Sequence, residues 1–260
     1  MEMIIYQVDA FTDSVFKGNP AAICPLQEWL PDEQMQAIAL ENHLSETAFF
    51  IPDGDTFHLR WFTPAKEVSL CGHATLATAH VLFQHLDYGD RRVTFHSLSG
   101  PLMVQHRGGW YYMNFPVDQP VLVPTPKAID AALGIHPVDT YKGKDDYLVV
   151  LESEEAVESI KPDFRRLRQL DGRGLIITAR GRSTDFASRC FYPKYGIDED
   201  PVTGSAHTVL GPYWANRLDK RELTARQCSP RTGFLRLRLM NERIEIAGQA
   251  VTYMEGKIRF

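Results

Sequence analysis

The chain has no excess of positive charge, no long apolar run and no paired cysteine motif, and each absence removes a class of function. Its 28 Lys and Arg are outnumbered by 33 Asp and Glu, for a net charge of -5. That balance offers no basic face for nucleic acid and no polybasic tract for anionic membranes. No apolar stretch approaches the ~20 residues that span a bilayer. The opening Met1-Glu2-Met3-Ile4-Ile5-Tyr6 lacks the charged and apolar regions of a secretory leader. The four cysteines, Cys24, Cys71, Cys190 and Cys228, form no CxxC pair, so a reducing, cytoplasmic setting is expected. Cys24, Cys190 and Cys228 read as small buried hydrophobes. His-Glu-x-x-His and clustered Cys/His sets are missing, and His73, His80 and His85 do not share one helical face, so no metal site is expected. The Gly-Lys-Ser/Thr of a nucleotide loop, a strand-linked G-x-G-x-x-G and a G-x-S-x-G elbow are absent too.

What remains is an ordinary globular composition, 44% hydrophobic and 23% charged, long enough for one large or two small cores. Strands are predicted at 4–11, 21–24, 47–51, 57–62, 92–96, 102–106 and 110–115 from β-branched and aromatic runs bounded by turn signals. A helix is expected from Pro31-Asp32-Glu33 to about Asn42. A second, from His73 to His85, is apolar nearly all round and should be buried. Four prolines between Pro116 and Pro126 mark a crossing between domains. Beyond it come a helix near 127–133, strands at 147–151 and 175–179 with polar helical sequence between them, and a strand at 186–192. Closing strands are expected at 234–240, 243–247, 250–253 and 257–260. The domains are expected at 1–115 and 116–249, with the strand near 250–260 able to return to the first.

Two similar segments stand out: Ser69-Leu70-Cys71-Gly72-His73-Ala74-Thr75 and Asp200-Pro201-Val202-Thr203-Gly204-Ser205-Ala206-His207. Each runs into a helix-like stretch, so each presents the free amides and positive dipole end of a helix start, a fit for a carboxylate. The similarity is either a weak internal repeat or two independent glycine turns. His73, with a reference pKa of about 6.5, can relay a proton or simply face water at a helix end. Glu46, beside the apolar Ala48-Phe49-Phe50-Ile51, is either a partly desolvated carboxylate able to hold a proton or an exposed strand-edge acid. Asp200, before Pro201, reads as a site carboxylate or as a cap.

Four ordered motifs resemble the phenazine-biosynthesis PhzF-like family. They are Asp9-Ala10-Phe11-Thr12 with Gly18-Asn19-Pro20 and Leu44-Ser45-Glu46-Thr47; Arg60-Trp61-Phe62-Thr63-Pro64 with Glu67 and Cys71 to Thr75; Phe191-Tyr192-Pro193 with Glu199 to His207; and Gly248 to Val251. The region 117–180 matches least. The resemblance implies an α+β, diaminopimelate epimerase-like fold of two pseudo-symmetric domains, each a β-barrel-like sheet around a central helix. It implies Glu46 as proton shuttle, with His73, Asp200 and Ser205 completing the catalytic set and Ser45, Gly72 and Gly204 binding substrate. It also implies no metal, nucleotide or pyridoxal cofactor, and a homodimer. Amino-acid epimerases of this superfamily use two facing cysteines, whereas here only Cys71 is present, so Cys71 is read as structural.

The reading favoured on these grounds is a cofactor-independent isomerase shifting a proton on a small carboxylate bound between two domains. The alternatives are a non-catalytic small-molecule or protein-interaction module on the same fold, and a two-base amino-acid epimerase.

Overall fold

The structure is a computed structural model describing residues 2–260, and it divides into two compact units. The first comprises Met1–Asn114 and Ala247–Phe260 by its bounds, the second Phe115–Ile246. No helix among the described residues is long and apolar enough to cross a membrane.

In the first unit β1 (Glu2–Ala10) leads to β2 (Asn19–Pro25), α1 (Asp32–Asn42), β3 (Glu46–Asp53), β4 (Thr56–Phe62) and β5 (Glu67–Val68). Then follow α2 (Gly72–His85), β6 (Arg92–Ser97), β7 (Gly100–Arg107) and β8 (Trp110–Pro116). The tight entry to β2 needs Gly18, whose φ is +65°; a Cβ there would stand 2.1 Å from the Ala10 carbonyl oxygen. Helix α1 packs Met35, Ile38 and Ala39 against Ile5, Cys24, Phe49 and Phe62. Helix α2 is buried from His73 to Leu82, as its nearly uniform apolar surface predicts, and packs on β1, β2 and β3. Leu76 of α2 is fully buried. Leu76→Ala is expected to lower unfolding free energy by about 2–5 kcal/mol in chemical denaturation; an unchanged midpoint would show that α2 is not the core element it is taken for.

The second unit runs β9 (Val121–Leu122), α3 (Lys127–Leu133), β10 (Asp139–Lys142), β11 (Tyr147–Val150), α4 (Glu154–Ser159), α5 (Phe164–Leu167), β12 (Leu175–Arg180) and β13 (Phe186–Tyr192). After a 3₁₀ turn at Pro193–Tyr195 come β14 (Ile197–Asp200), α6 (His207–Leu218), β15 (Glu222–Gln227), β16 (Gly233–Met240) and β17 (Arg243–Gly248). The last strand, β18 (Ala250–Arg259), pairs antiparallel with β1 and belongs to the first unit. Helix α6 contains Pro212, which cannot donate to the Thr208 carbonyl. The Asp118 amide takes that carbonyl instead, at 3.1 Å. Gly211 lets Ile244 close on α6: a Cβ would meet the Ile244 Cδ1 at 2.2 Å.

The pairing patterns settle the question of an internal repeat. From β1 onward the pairs are β1/β2 antiparallel, β2/β3 parallel, β3/β4 antiparallel, β4/β6 parallel and β6/β7 antiparallel. From β10 onward they are β10/β11 antiparallel, β11/β12 parallel, β12/β13 antiparallel, β13/β15 parallel and β15/β16 antiparallel. Each parallel step crosses over through helix, α1 and α2 in one unit, α4–α5 and α6 in the other. The two glycine segments are the same point in two copies of one topology.

Several expectations are corrected. Strands β5, β9, β10, β14 and β15 were not anticipated. In β15 the buried positions are Leu223, Ala225 and Gln227, so a glutamine and an alanine mask the apolar alternation. The two closing strands expected at 250–253 and 257–260 are one strand, because pairing with β1 carries the backbone straight through Met254-Glu255-Gly256. Cys228 is half-buried rather than buried, while Cys24 and Cys190 are fully enclosed and burial pushes both thiols far up.

Candidate active site

Each repeat holds its glycine segment with the same device. In the first unit Arg60 of β4 grips Glu67 of β5 in a fork, Nε to Oε1 at 2.7 Å and Nη2 to Oε2 at 2.8 Å. In the second, Arg189 of β13 grips Glu199 of β14, at 2.7 and 2.9 Å. Bidentate pairs of this kind fix orientation as well as position. In both units the glutamate lies five residues before the glycine, Glu67 before Gly72 and Glu199 before Gly204. In both, the arginine opens Arg-x-Phe-x-Pro: Arg60-Trp61-Phe62-Thr63-Pro64 and Arg189-Cys190-Phe191-Tyr192-Pro193. That duplicated string is a sequence signal for the repeat that reading the glycine segments alone overlooks.

At the start of α2 the amides of Gly72, His73 and Ala74 precede the first bond of the helix, Thr75 N to Cys71 O at 3.1 Å. His73, the second residue of the helix, is buried rather than facing water. Its Nδ1 lies 3.3 Å from Asn19 Nδ2 and 3.5 Å from Cys71 Sγ. Its Nε2 lies 3.3 Å from Glu46 Oε2, in reach but not aligned as a hydrogen bond. Asn19 Nδ2 can only donate, so Nδ1 accepts and the ring proton sits on Nε2, on the Glu46 side. Burial pushes the His73 pKa down from the reference 6.5 to about 3, so the ring is neutral at pH 7. Glu46 opens β3 with its side chain 13% exposed, the partly desolvated alternative of the two posed for it. Ser45 is half-buried just before that strand.

At the start of α6 the turn Gly204–Ala206 leads into the helix through His207 N to Gly204 O at 3.1 Å. The amides of Gly204, Ser205 and Ala206 have no acceptor among the described residues. Asp200 ends β14 and accepts from Thr203 Oγ1 at 2.5 Å. Buried Gln227 braces the segment, taking the Thr203 amide at 2.9 Å and donating to the Asp200 carbonyl at 2.8 Å. His207 Nδ1 donates to the Thr203 carbonyl at 2.8 Å, and burial holds its pKa at about 4, so it too is a neutral ring. Ser205 is exposed, and Arg173 Nη2 donates to its Oγ at 3.1 Å.

Each unit therefore brings together its own share of the expected residues: Ser45, Glu46, Gly72 and His73 in the first, Asp200, Gly204 and Ser205 in the second. Sequence reasoning passed over Asn19 as a catalytic neighbour, and Gln227, Arg173 and Asp146 altogether. Oxygen, sulfur and nitrogen atoms of Glu46, Cys71 and His73 lie within 4.8 Å of one another, a set able to hold a metal ion, although Glu46 and Cys71 meet different ring nitrogens. The other such set, Glu154, Glu158 and Cys228, has its carboxylates engaged by Arg182 and Arg226.

A family model for phenazine biosynthesis-like proteins (PhzC-PhzF) matches residues 8–256. The chain belongs to the PhzF family. It is 52% identical to a protein of Pseudomonas aeruginosa named an uncharacterized isomerase, over 100% of this chain and 99% of that one. The crystal structure of a PhzF-family protein from Enterococcus faecalis matches with a TM-score of 0.98 at 48% identity, covering 100% of both chains. The fold extends to a probable proline racemase of Agrobacterium radiobacter, at a TM-score of 0.67 and 8% identity over 99% of this chain and 93% of that one. The PhzF chain described here thus has the α+β, diaminopimelate epimerase-like fold.

Proposed function

We propose that the protein is an isomerase that shifts a proton on a small carboxylate substrate using its own side chains as proton carriers. The observation that carries this reading is the pairing of Glu46 with a neutral His73 at the head of a buried helix whose first amides are unspent. The naming of close relatives as isomerases supports the reaction class.

In this reading the Glu46 carboxylate takes a proton from carbon and returns it to a different atom of the same substrate. His73 Nε2–H faces Glu46 and steadies the carboxylate form, and Asn19 holds the tautomer that makes this so. The amides at the helix starts donate to oxygens where negative charge builds up during proton removal. Ser45 and Gly72 accompany Glu46 and His73 in the first unit, and Asp200, Gly204 and Ser205 form the corresponding set of the second.

The direct test is solvent deuterium incorporation into members of a small-carboxylate library incubated with the protein in heavy water. At least one member should gain deuterium at a single carbon; a library in which none exchanges would sink the reading and favour a binding module. Cys71 bears on the epimerase alternative. The residue is 7% exposed, and its thiol sits against Nδ1, the side of the ring away from Glu46. Cys71→Ala is expected to retain exchange within about tenfold, since general acid–base groups contribute far more. Complete loss of exchange would restore a thiol mechanism.

A further inference from the structure

The two helix starts differ in charge. At α2 the nearest ionisable neighbour of His73 is the carboxylate of Glu46. At α6 a cation is present as well as carboxylates: Arg173 reaches Ser205, while Asp200 is tied up by the Thr203 hydroxyl and Asp146 by Arg173 itself. Arg173 belongs to the short loop between α5 and β12, a region that carries none of the matching motifs, and the structure builds it with care. Its amide donates to the Asp145 carbonyl at 2.7 Å, and the Gly174 carbonyl accepts from the Tyr147 amide at 3.0 Å. Lys194 Nζ donates to the Gly172 carbonyl at 3.1 Å and to the Leu170 carbonyl. Gly174 is required where it is: a Cβ there would meet Tyr192 Cδ1 at 2.3 Å and the Phe191 carbonyl oxygen at 2.5 Å. The side chain is held as firmly. Nε and Nη2 fork onto Asp146, whose side chain is 2% exposed, and the guanidinium lies 5.0 Å from the centre of the Tyr192 ring. Tyr192 is itself buried, with a hydroxyl that meets no hydrogen-bond partner among the described residues.

This arrangement leaves two unspent donors at the start of α6. Arg173 Nη1 has no partner among the described residues, and the arginine side chain remains one-third exposed (34%). Ser205 Oγ already accepts from Nη2, so its own O–H is free to donate outward. Beside them stand the unspent amides of Gly204, Ser205 and Ala206. Burial works against charge on Arg173, but the hydrogen bonds and negative charge of Asp146 outweigh it and hold the guanidinium above its ordinary value.

We propose that Arg173, locked by Asp146, is the specificity-determining residue for the substrate carboxylate, receiving it together with the Ser205 hydroxyl at the start of α6. The carboxylate is received at this helix start because it is the one with a cation beside it, Arg173. The assignment rests on the carboxylate-isomerase reading for its ligand class, and it adds a residue that no matching motif contains.

The experiment uses the full-length protein, a panel of small carboxylates that includes 2-aminobenzoate, and the matched carboxamides, with affinities measured by calorimetry. Arg173→Met alone would strand the buried Asp146 charge, so it is paired with Asp146→Asn; Arg173→Lys is the second variant, keeping the charge and losing the fork. The wild type should prefer carboxylate over carboxamide, and the double variant should lose about 10- to 100-fold in carboxylate affinity, the worth of a charged hydrogen bond, with carboxamide affinity unchanged. Arg173→Lys should recover part of the loss. Equal losses for carboxylate and carboxamide would mark Arg173 as merely structural. Unchanged carboxylate affinity, or a wild type that binds no carboxylate, would overturn the proposal outright. Arg173-dependent binding without deuterium exchange would keep this assignment and remove the isomerase reading instead.

Discussion

Glu46→Gln should reduce solvent deuterium exchange into a bound carboxylate substrate by about 10²- to 10⁴-fold, the range a positioned general base supplies. The glutamine has the same shape and keeps an oxygen within reach of His73 Nε2, so folding and ligand affinity should change little. What disappears is the carboxylate beside His73 that this reading assigns as the base. His73 cannot substitute, since burial keeps its pKa near 3 and its proton already occupies the nitrogen that faces residue 46. Exchange at an undiminished rate in the variant, with binding intact, would remove Glu46 as the base and direct attention to Asp200 or Cys71.

Acid should unfold the protein between pH 6.5 and 4, well above the range in which carboxylates alone act. His73, His80 and His207 are all buried, with pKa values pushed down from 6.5 to about 3, 4 and 4, burial being the largest cause in each case. His80 is further disfavoured as a cation by His85 and His106, while its ring nitrogens meet the Tyr111 hydroxyl at 2.8 Å and Thr252 Oγ1 at 2.9 Å. For a group whose pKa is lower in the folded than in the unfolded chain, the unfolded chain binds more protons below 6.5. Stability is therefore complete above the unfolded value and falls as pH drops toward the folded one. At pH 5 each ring costs about 2 kcal/mol, and three together are of the order of a whole domain's stability. Urea midpoints measured from pH 7.5 to 4.5 should fall steeply, and His207→Gln should flatten that slope by roughly one proton's worth. A flat profile down to pH 4.5 would show that the three rings charge without penalty.

The legible part of the site was the part written in contiguous residues. Gly72-His73 and Gly204-Ser205 announce helix starts because glycine, small residues and the following apolar stretch are neighbours along the chain. Glu46 could be singled out by its place before an apolar strand. Asn19 could not be tied to His73, 54 residues away, until β2 and α2 were packed together. Arg173 and Asp146 are 27 residues apart in the stretch with the fewest motifs, and both read as ordinary surface charges until the loop at 172–174 is seen folded beside Ser205. Gln227 was hidden for another reason: a buried glutamine breaks the apolar alternation that would have revealed β15.

By itself the sequence determined where the helices and most strands lie, with β5, β9, β10, β14 and β15 as exceptions, that α2 is buried, and that the family motifs recur in order. These properties depend on residues close together in the chain, on side-chain periodicity and on turn chemistry. Only the tertiary structure decided which glycine segment carries a cation, which tautomer His73 adopts and that its ring is neutral. Charge state and hydrogen-bond direction depend on what surrounds a group in space, and those surroundings are assembled from strands and loops that pairing brings together from distant parts of the chain.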